Sequence, residues 1–285
     1  MPCIFELRMG LDYFTDCTVL ITGASSGIGR EFALQLAPYA ANIILAARRL
    51  DRLDTLKTEI QALYPEVNIF PYGIDLADET ALDTFVGWLN ETGLVVDFLI
   101  NNAGLGDHGP FEESDWLRVR QMLDVNIMAL TKLTHRLLPG MKRNEGGAIL
   151  NVSSVAGFLP VPYMAVYAAS KAYVTSFSEG LRAELRGTDV SVTAVCPGPV
   201  PTEFGKQAAR EPDDTPFDVK APEIFQIDPQ TVVFQGLNAV AKDRARVVPG
   251  LNMFLATVLI GLIPFTIIRF FLNARAREIR ENQDV

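Results

Sequence analysis

Short runs of β-branched and aliphatic residues alternate along this chain with longer stretches in which apolar positions recur at helical spacing. Segments 18–23, 41–48, 67–75, 97–104, 147–154 and 190–198 have the length and composition of strands. Runs such as Thr18-Val19-Leu20-Ile21 are apolar without alternation, which suits strands buried on both faces. A strand, helix, strand order repeated this often implies right-handed crossovers and an α/β fold with a doubly wound parallel sheet, helices on both faces. One domain over 1–250 accounts for the pattern. After Gly198 it loosens into a Pro-, Asp- and Glu-rich stretch, 199–227, with the character of a lid loop holding one short helix. Asp228-Pro229 then supplies an N-cap and an N1 proline for a helix to about residue 242, and 245–249 offers a last strand. An apolar segment, 251–268, and a polar tail complete a C-terminal extension, 251–285.

Composition adds exclusions. The 285 residues are 49% hydrophobic and 21% charged, which describes a packed globular chain. A formal net charge of −9 and the lack of a basic stripe with interleaved aromatics exclude nucleic acid as a partner. Cys3, Cys17 and Cys196 have no metal-ligand spacing, and His108 and His135 are the sole histidines, so no metal site is expected. The acidic start, 1–16, lacks a signal-peptide core, and the scattered cysteines suit a reducing compartment. A cytoplasmic location is expected, with membrane association left open by the apolar C-terminal segment.

Two patterns carry chemistry. The first is Thr22-Gly23-Ala24-Ser25-Ser26-Gly27-Ile28-Gly29, between the first strand and a helix. Glycines there allow a tight turn and close approach to a pyrophosphate, and the helix start offers free N–H groups; a plain strand-to-helix turn is the competing explanation. The second is Tyr167 and Lys171, four apart in the helical segment 163–186 and therefore on one face. Ser154 stands at the carboxyl end of its strand, where open α/β sheets bind ligands, so it can meet that face. Ser153, if still in the strand, points the other way, and neither Tyr163 nor Tyr173 lies four before Lys171, so these three are expected to pack or lie at the surface.

With Asn101-Asn102-Ala103-Gly104, with Ser154 thirteen before Tyr167, and with Pro197-Gly198, the chain resembles the classical short-chain dehydrogenase/reductases, strongly over 18–202. The resemblance implies a Rossmann-type fold and hydride transfer between a nicotinamide and an alcohol or carbonyl, with Asn126, Ser154, Tyr167 and Lys171 as the catalytic set. Tyr167 would be general acid/base, Ser154 would hydrogen-bond the substrate oxygen, and Lys171 would hold the ribose and lower the tyrosine pKa. Asn126 would support a relay water. A free tyrosine titrates near ~10, so reaching about 7 takes roughly 4 kcal/mol. The same resemblance gives the dinucleotide contacts: Gly23, Ser25, Ser26, Gly27, Ile28 and Gly29 in the turn, Asp75 and Leu76 at the adenine, and Asn102, Ala103 and Gly104. Tyr167, Lys171, Pro197, Gly198, Val200 and Thr202 complete them. It also implies a homo-oligomer.

The second strand ends Ala46-Ala47-Arg48-Arg49 with no carboxylate. A guanidinium there suits a 2′-phosphate, which favours NADP(H) over NAD(H), Arg48 ahead of Arg49; two arginines solvating a loop is the alternative. Segment 251–268 leaves three options: packing over the substrate pocket or a dimer partner, attachment at a membrane surface, and, at the lower edge of length and interrupted by Gly261 and Pro264, a membrane span. Arg275, Arg277 and Arg280 would favour a cytosolic tail, which conflicts with a span. Other functions weighed are a catalytically silent dinucleotide sensor or scaffold, and an epimerase or dehydratase, whose Thr-Gly-x-x-Gly-x-x-Gly spacing differs from this one. The substrate is expected to be a small alcohol or carbonyl, with an apolar body as the guess.

Overall fold

The computed structural model describes residues 10–144, 146–210 and 222–270. Its centre is a seven-stranded, wholly parallel sheet in the order β3-β2-β1-β4-β5-β6-β7. The strands are β1 (Thr18–Thr22), β2 (Asn42–Ala47), β3 (Asn68–Gly73), β4 (Phe98–Asn101), β5 (Gly147–Val152), β6 (Val190–Val195) and β7 (Arg246–Val247). Helices α1 (Gly27–Leu36), α2 (Leu50–Leu63), α3 (Glu79–Thr92), α4 (Trp116–Leu123), α5 (Leu130–Arg143) and α6 (Ala165–Glu184) cross over between strands. They are followed by α7 (Glu203–Ala208), α8 (Pro229–Ala241) and α9 (Leu251–Gly261).

Successive side chains of β1, β2, β4 and β5 enter two different cores, which is why their sequences show no polar alternation. Val19 and Ile21 of β1 join Phe32 of α1 and Leu237 of α8 on one face, while Leu20 joins Phe85 of α3 and Leu133 of α5 on the other. Pro71 sits in β3, which pairs with β2 alone; an edge strand tolerates the missing donor. Asp228 caps α8 by accepting from the Thr231 N–H at 2.7 Å, with Pro229 in its first turn.

Most elements are shorter than the pattern predicts, and at the ligand-binding end the reason is visible. β4 stops at Asn101, so Asn102, Ala103 and Gly104 belong to the loop beyond it, and β5 stops at Val152, so Ser153 and Ser154 lie past its last paired residue. The residues assigned to binding are those released from the ladder, whose side chains and amides can turn into the mouth. Likewise α6 begins at Ala165 rather than 163, because Tyr163 has φ +65°, a left-handed conformation that a helix cannot contain. The lid stretch contains α7 and a short 3-10 turn, Glu223–Phe225; residues 211–221 fall outside the described part.

Among the described residues no helix is long and apolar enough to cross a membrane. The apolar C-terminal segment is α9, a turn at 262–264 and a second helical stretch at 265–270, broken where Pro264 cannot donate. One side of it faces a large cavity; Leu251, Leu255, Leu259 and Leu262 on the other are exposed. Packing over the pocket therefore describes one side of this segment. Arg275, Arg277 and Arg280 lie outside the described residues.

Candidate active site

A cavity of about 1210 Å³ opens at the carboxyl ends of the strands. At one end is the turn after β1. Gly23 (φ +67°) and Gly27 (φ +53°) hold left-handed conformations, and Asn102 braces the turn by donating from Nδ2 to the carbonyl of Thr22 at 2.8 Å. A Cβ built on Gly23 would meet the Ala103 backbone at 2.8 Å, so β1 and the loop after β4 approach closely because no side chain intervenes. Ser25, Ser26, Gly27 and Ile28 line the cavity; Gly29 is buried beneath the turn. Arg48, Arg49, Asp75 and Leu76 close this end. Arg48 is exposed, whereas Arg49 is folded inward, donating to the hydroxyls of Ser25 at 3.1 Å and Ser26 at 2.9 Å. The sequence ranks Arg48 first, but in the structure Arg49 is the guanidinium already fixed against the turn.

Further along stand Ser154, Tyr167 and Lys171, all buried. Ser154 caps a 3-10 turn by accepting from the Ala156 N–H at 3.1 Å and donates to the Pro197 carbonyl at 3.5 Å; its hydroxyl is also close enough to that of Tyr167 to lower the phenol's pKa. Lys171, one turn after Tyr167, donates from Nζ to the Val152 carbonyl at 2.8 Å, with Nζ 5.8 Å from the centre of the tyrosine ring. Ser153 turns away beneath α6 and bonds the Lys171 carbonyl at 2.7 Å, while Tyr173 is at the surface, bonded to Thr131.

Asn126 occupies a π-helical turn, Asp124–Ala129, between α4 and α5. Its Nδ2 donates to the Leu105 carbonyl at 2.9 Å and to Ser170 Oγ at 3.0 Å, and its Oδ1 accepts from the Leu105 N–H at 2.8 Å. Asn126 thus ties the loop after β4 to α6. A Cβ on Gly104 would lie 3.3 Å from Lys171 Nζ and 3.5 Å from Asn126 Oδ1, so both polar groups converge on the space beside that glycine.

Burial pushes the Tyr167 phenol up to about 12 despite the lowering bond from Ser154, and burial likewise lowers the Lys171 ammonium from 10.5 to about 8. From the phenol's raised value, poising it near neutrality takes roughly 7 kcal/mol, against roughly 4 from an ordinary tyrosine. How deeply the phenol is buried depends on how α6 packs, which the sequence does not show.

Pro197, Gly198, Val200 and Thr202 line the far wall. Thr202 caps α7 by accepting from the Phe204 N–H and lies over Gly27. Beyond them the wall is built from residues that no motif revealed: Phe158, Leu159 and Met164 from around α6, and Met253, Val258 and Ile260 from α9. The segment's lack of charge was the one available signal.

A family model described as short chain dehydrogenase matches residues 17–213. The chain belongs to the short chain dehydrogenase family. This short-chain dehydrogenase is 42% identical over 208 residues to a sulfoacetaldehyde reductase from Chromohalobacter salexigens, covering 69% of this chain and 79% of that one. It is 35% identical over 210 residues to a human very-long-chain 3-oxoacyl-CoA reductase, covering 72% and 65%. A short-chain dehydrogenase from Sphingobium yanoikuyae, solved in complex with NADPH, superposes with TM-score 0.75 at 30% identity, covering 87% of this chain and 96% of that one. The short-chain dehydrogenase described here is an oxidoreductase of alcohol or carbonyl groups with a dinucleotide site.

Proposed function

We propose that this enzyme uses NADPH to reduce a carbonyl carried on an apolar body, with Tyr167 as general acid. The observation that carries the proposal is the hydroxyl pair of Ser154 and Tyr167, opening on the same cavity as the glycine turn and flanked by a buried lysine. The site fits a dinucleotide: its close backbone approaches leave a cradle that any Cβ would fill, and Arg48 and Arg49 stand where a 2′-phosphate would need positive charge. When bound, NADPH supplies the hydride.

The chain's own residues do the rest. Ser154 Oγ donates to the substrate oxygen and fixes it beside Tyr167 Oη, which gives that oxygen its proton as negative charge develops there. Lys171 presents its ammonium on the same face of α6 and favours the phenolate left behind. Lys171 would also hold the nicotinamide ribose when the cofactor is bound, and the positive charge of the oxidised ring would favour the phenolate further. Asn126 is a positioning residue, holding the loop at Leu105 against Ser170 so that the space beside Gly104 stays open. A neutral phenol is the form that reduction requires, and burial favours it.

The relatives' names point to very different compounds, sulfoacetaldehyde and a very-long-chain 3-oxoacyl-CoA. The wall formed by Phe158, Leu159, Val161, Met164, Val258 and Ile260 favours an apolar body. At about 0.8 kcal/mol per buried methylene, kcat/KM for NADPH-dependent reduction should rise roughly fourfold per added carbon along a series of 3-oxo thioesters until the wall is covered. A flat series, or faster reduction of short charged aldehydes, would overturn the substrate class; no NADPH oxidation with any carbonyl would overturn the function.

A further inference from the structure

At the adenosine end of the cavity an acidic side chain occupies the strongest anion-binding group in view. Glu203 opens α7 immediately after Thr202, and its Oε2 accepts from Arg49 Nη1 at 2.8 Å. Arg52 Nη1 adds bonds of 2.7 and 2.9 Å to its two oxygens. The Arg49 guanidinium simultaneously holds the hydroxyls of Ser25 and Ser26. Two guanidinium groups and two hydroxyls of the glycine turn are the donor set that a phosphate monoester takes, and charge-assisted, forked bonds of this kind are those for which Arg is suited.

We propose that Glu203 is an internal anion that competes with the 2′-phosphate of NADPH for Arg49 and Arg52, and so sets the enzyme's discrimination between NADPH and NADH. The proposal rests on the reading of Arg48 and Arg49 as phosphate partners. Glu203 is ionised at neutral pH, its carboxyl held low by bonds to Arg52 and Arg49. A phosphate brought to Arg49 would meet that carboxylate, so the two anions repel and share donors. The pair is half-exposed and therefore readily exchanged: a more highly charged phosphate can displace the carboxylate, but only by giving up two ion pairs that NADH leaves intact. Thr202 and Glu203 are consecutive, and Thr202 lies over Gly27, so the carboxylate is held beside the glycine turn.

Glu203→Gln keeps the shape and removes the charge. Equilibrium titration by protein fluorescence, at low salt, compares wild type and variant for NADPH, NADH, 2′,5′-ADP and 5′-AMP. The expected result is at least fivefold tighter NADPH and 2′,5′-ADP with less than twofold change for NADH and 5′-AMP, the gain shrinking in high salt. Weaker NADPH would mean that Glu203 positions Arg49 for the phosphate, and equal or absent changes would mean that it does not sense the phosphate at all; each overturns the proposal. Should wild type bind 2′,5′-ADP no better than 5′-AMP, the cofactor preference itself fails, while a Glu203→Gln gain confined to 2′,5′-ADP would still support the competition. Thermal melts confirm that the variant folds.

Discussion

The ammonium of Lys171 lies 5.8 Å from the ring centre of Tyr167 and is spent on the carbonyl of Val152, at 2.8 Å, rather than on any carboxylate. A buried cation whose hydrogen-bond partner among the described residues is a neutral carbonyl is held at a cost, because desolvation is not repaid by an opposite charge.

That cost has a sign and a pH window. Lys171 titrates at about 8 in the folded chain against an ordinary 10.5, so below pH 8 it is charged in both states and destabilises the fold by roughly 3 kcal/mol. Between about 8 and 10.5 the unfolded chain binds more protons, so this penalty is relieved as pH rises. Lys171→Met should raise the unfolding free energy at pH 7 by about 1–2 kcal/mol, after allowing for the Val152 carbonyl left without its donor. The difference from wild type should fall toward zero or reverse by pH 10. Chemical denaturation at the two pH values checks this, and a pH-independent difference would refute it.

Gly29 is packed under the glycine turn: a Cβ there would fall inside the contact distance of the Gly23 carbonyl oxygen and 2.5 Å from Asn102 Nδ2. Since the nearest obstacle is backbone, Gly29→Ala must displace the cradle itself. A loss of roughly 1–3 kcal/mol of stability is expected, together with at least tenfold weaker dinucleotide binding, measured by denaturation and fluorescence titration. Unchanged binding would show that the turn's shape does not govern the site.

Asp107 anchors the base of the lid. Its carboxylate receives Arg210 at 2.7 and 3.1 Å and Ser114 at 3.1 Å, and Arg118 lies 3.3 Å away while also donating to the Gln207 and Ala209 carbonyls at the end of α7. Burial alone would raise this carboxyl, but the bond and charge of Arg210, with Ser114 and Arg118, hold it below the ordinary 3.8. Its stabilisation is therefore present above about pH 4 and lost as pH falls through the lowered value. Asp107→Asn leaves two guanidinium groups facing a neutral amide; a destabilisation of roughly 3 kcal/mol at pH 7, shrinking toward pH 3, is expected in calorimetry. A pH-independent effect would point to packing alone.

How far the sequence reaches is clearest in particular residues. The apolar runs of β1 and β2 encode burial on both faces, and Asp228-Pro229 encodes the start of α8, because periodicity and capping are local. Where the strands end was not legible: Ser154 and Asn102 lie beyond the last paired residues, and pairing with a neighbouring strand is a tertiary fact. Tyr163 carries no mark in the sequence of its left-handed backbone. The ion pairs Arg49–Glu203 and Arg210–Asp107 join positions more than a hundred residues apart, and a single sequence gives no means of pairing them. The cavity wall supplied by α9 appears in the sequence as an apolar stretch with three possible partners, and only its folded position shows which side meets the pocket.

The central claim, that the Tyr167 hydroxyl delivers the proton, is tested most directly by removing that oxygen. Single-turnover NADPH oxidation by Tyr167→Phe, on any carbonyl that wild type accepts, should be slower by about 10²- to 10⁴-fold, with NADPH binding changed less than threefold and the fold intact by thermal melting. Turnover near the wild-type rate on any such substrate would contradict the account.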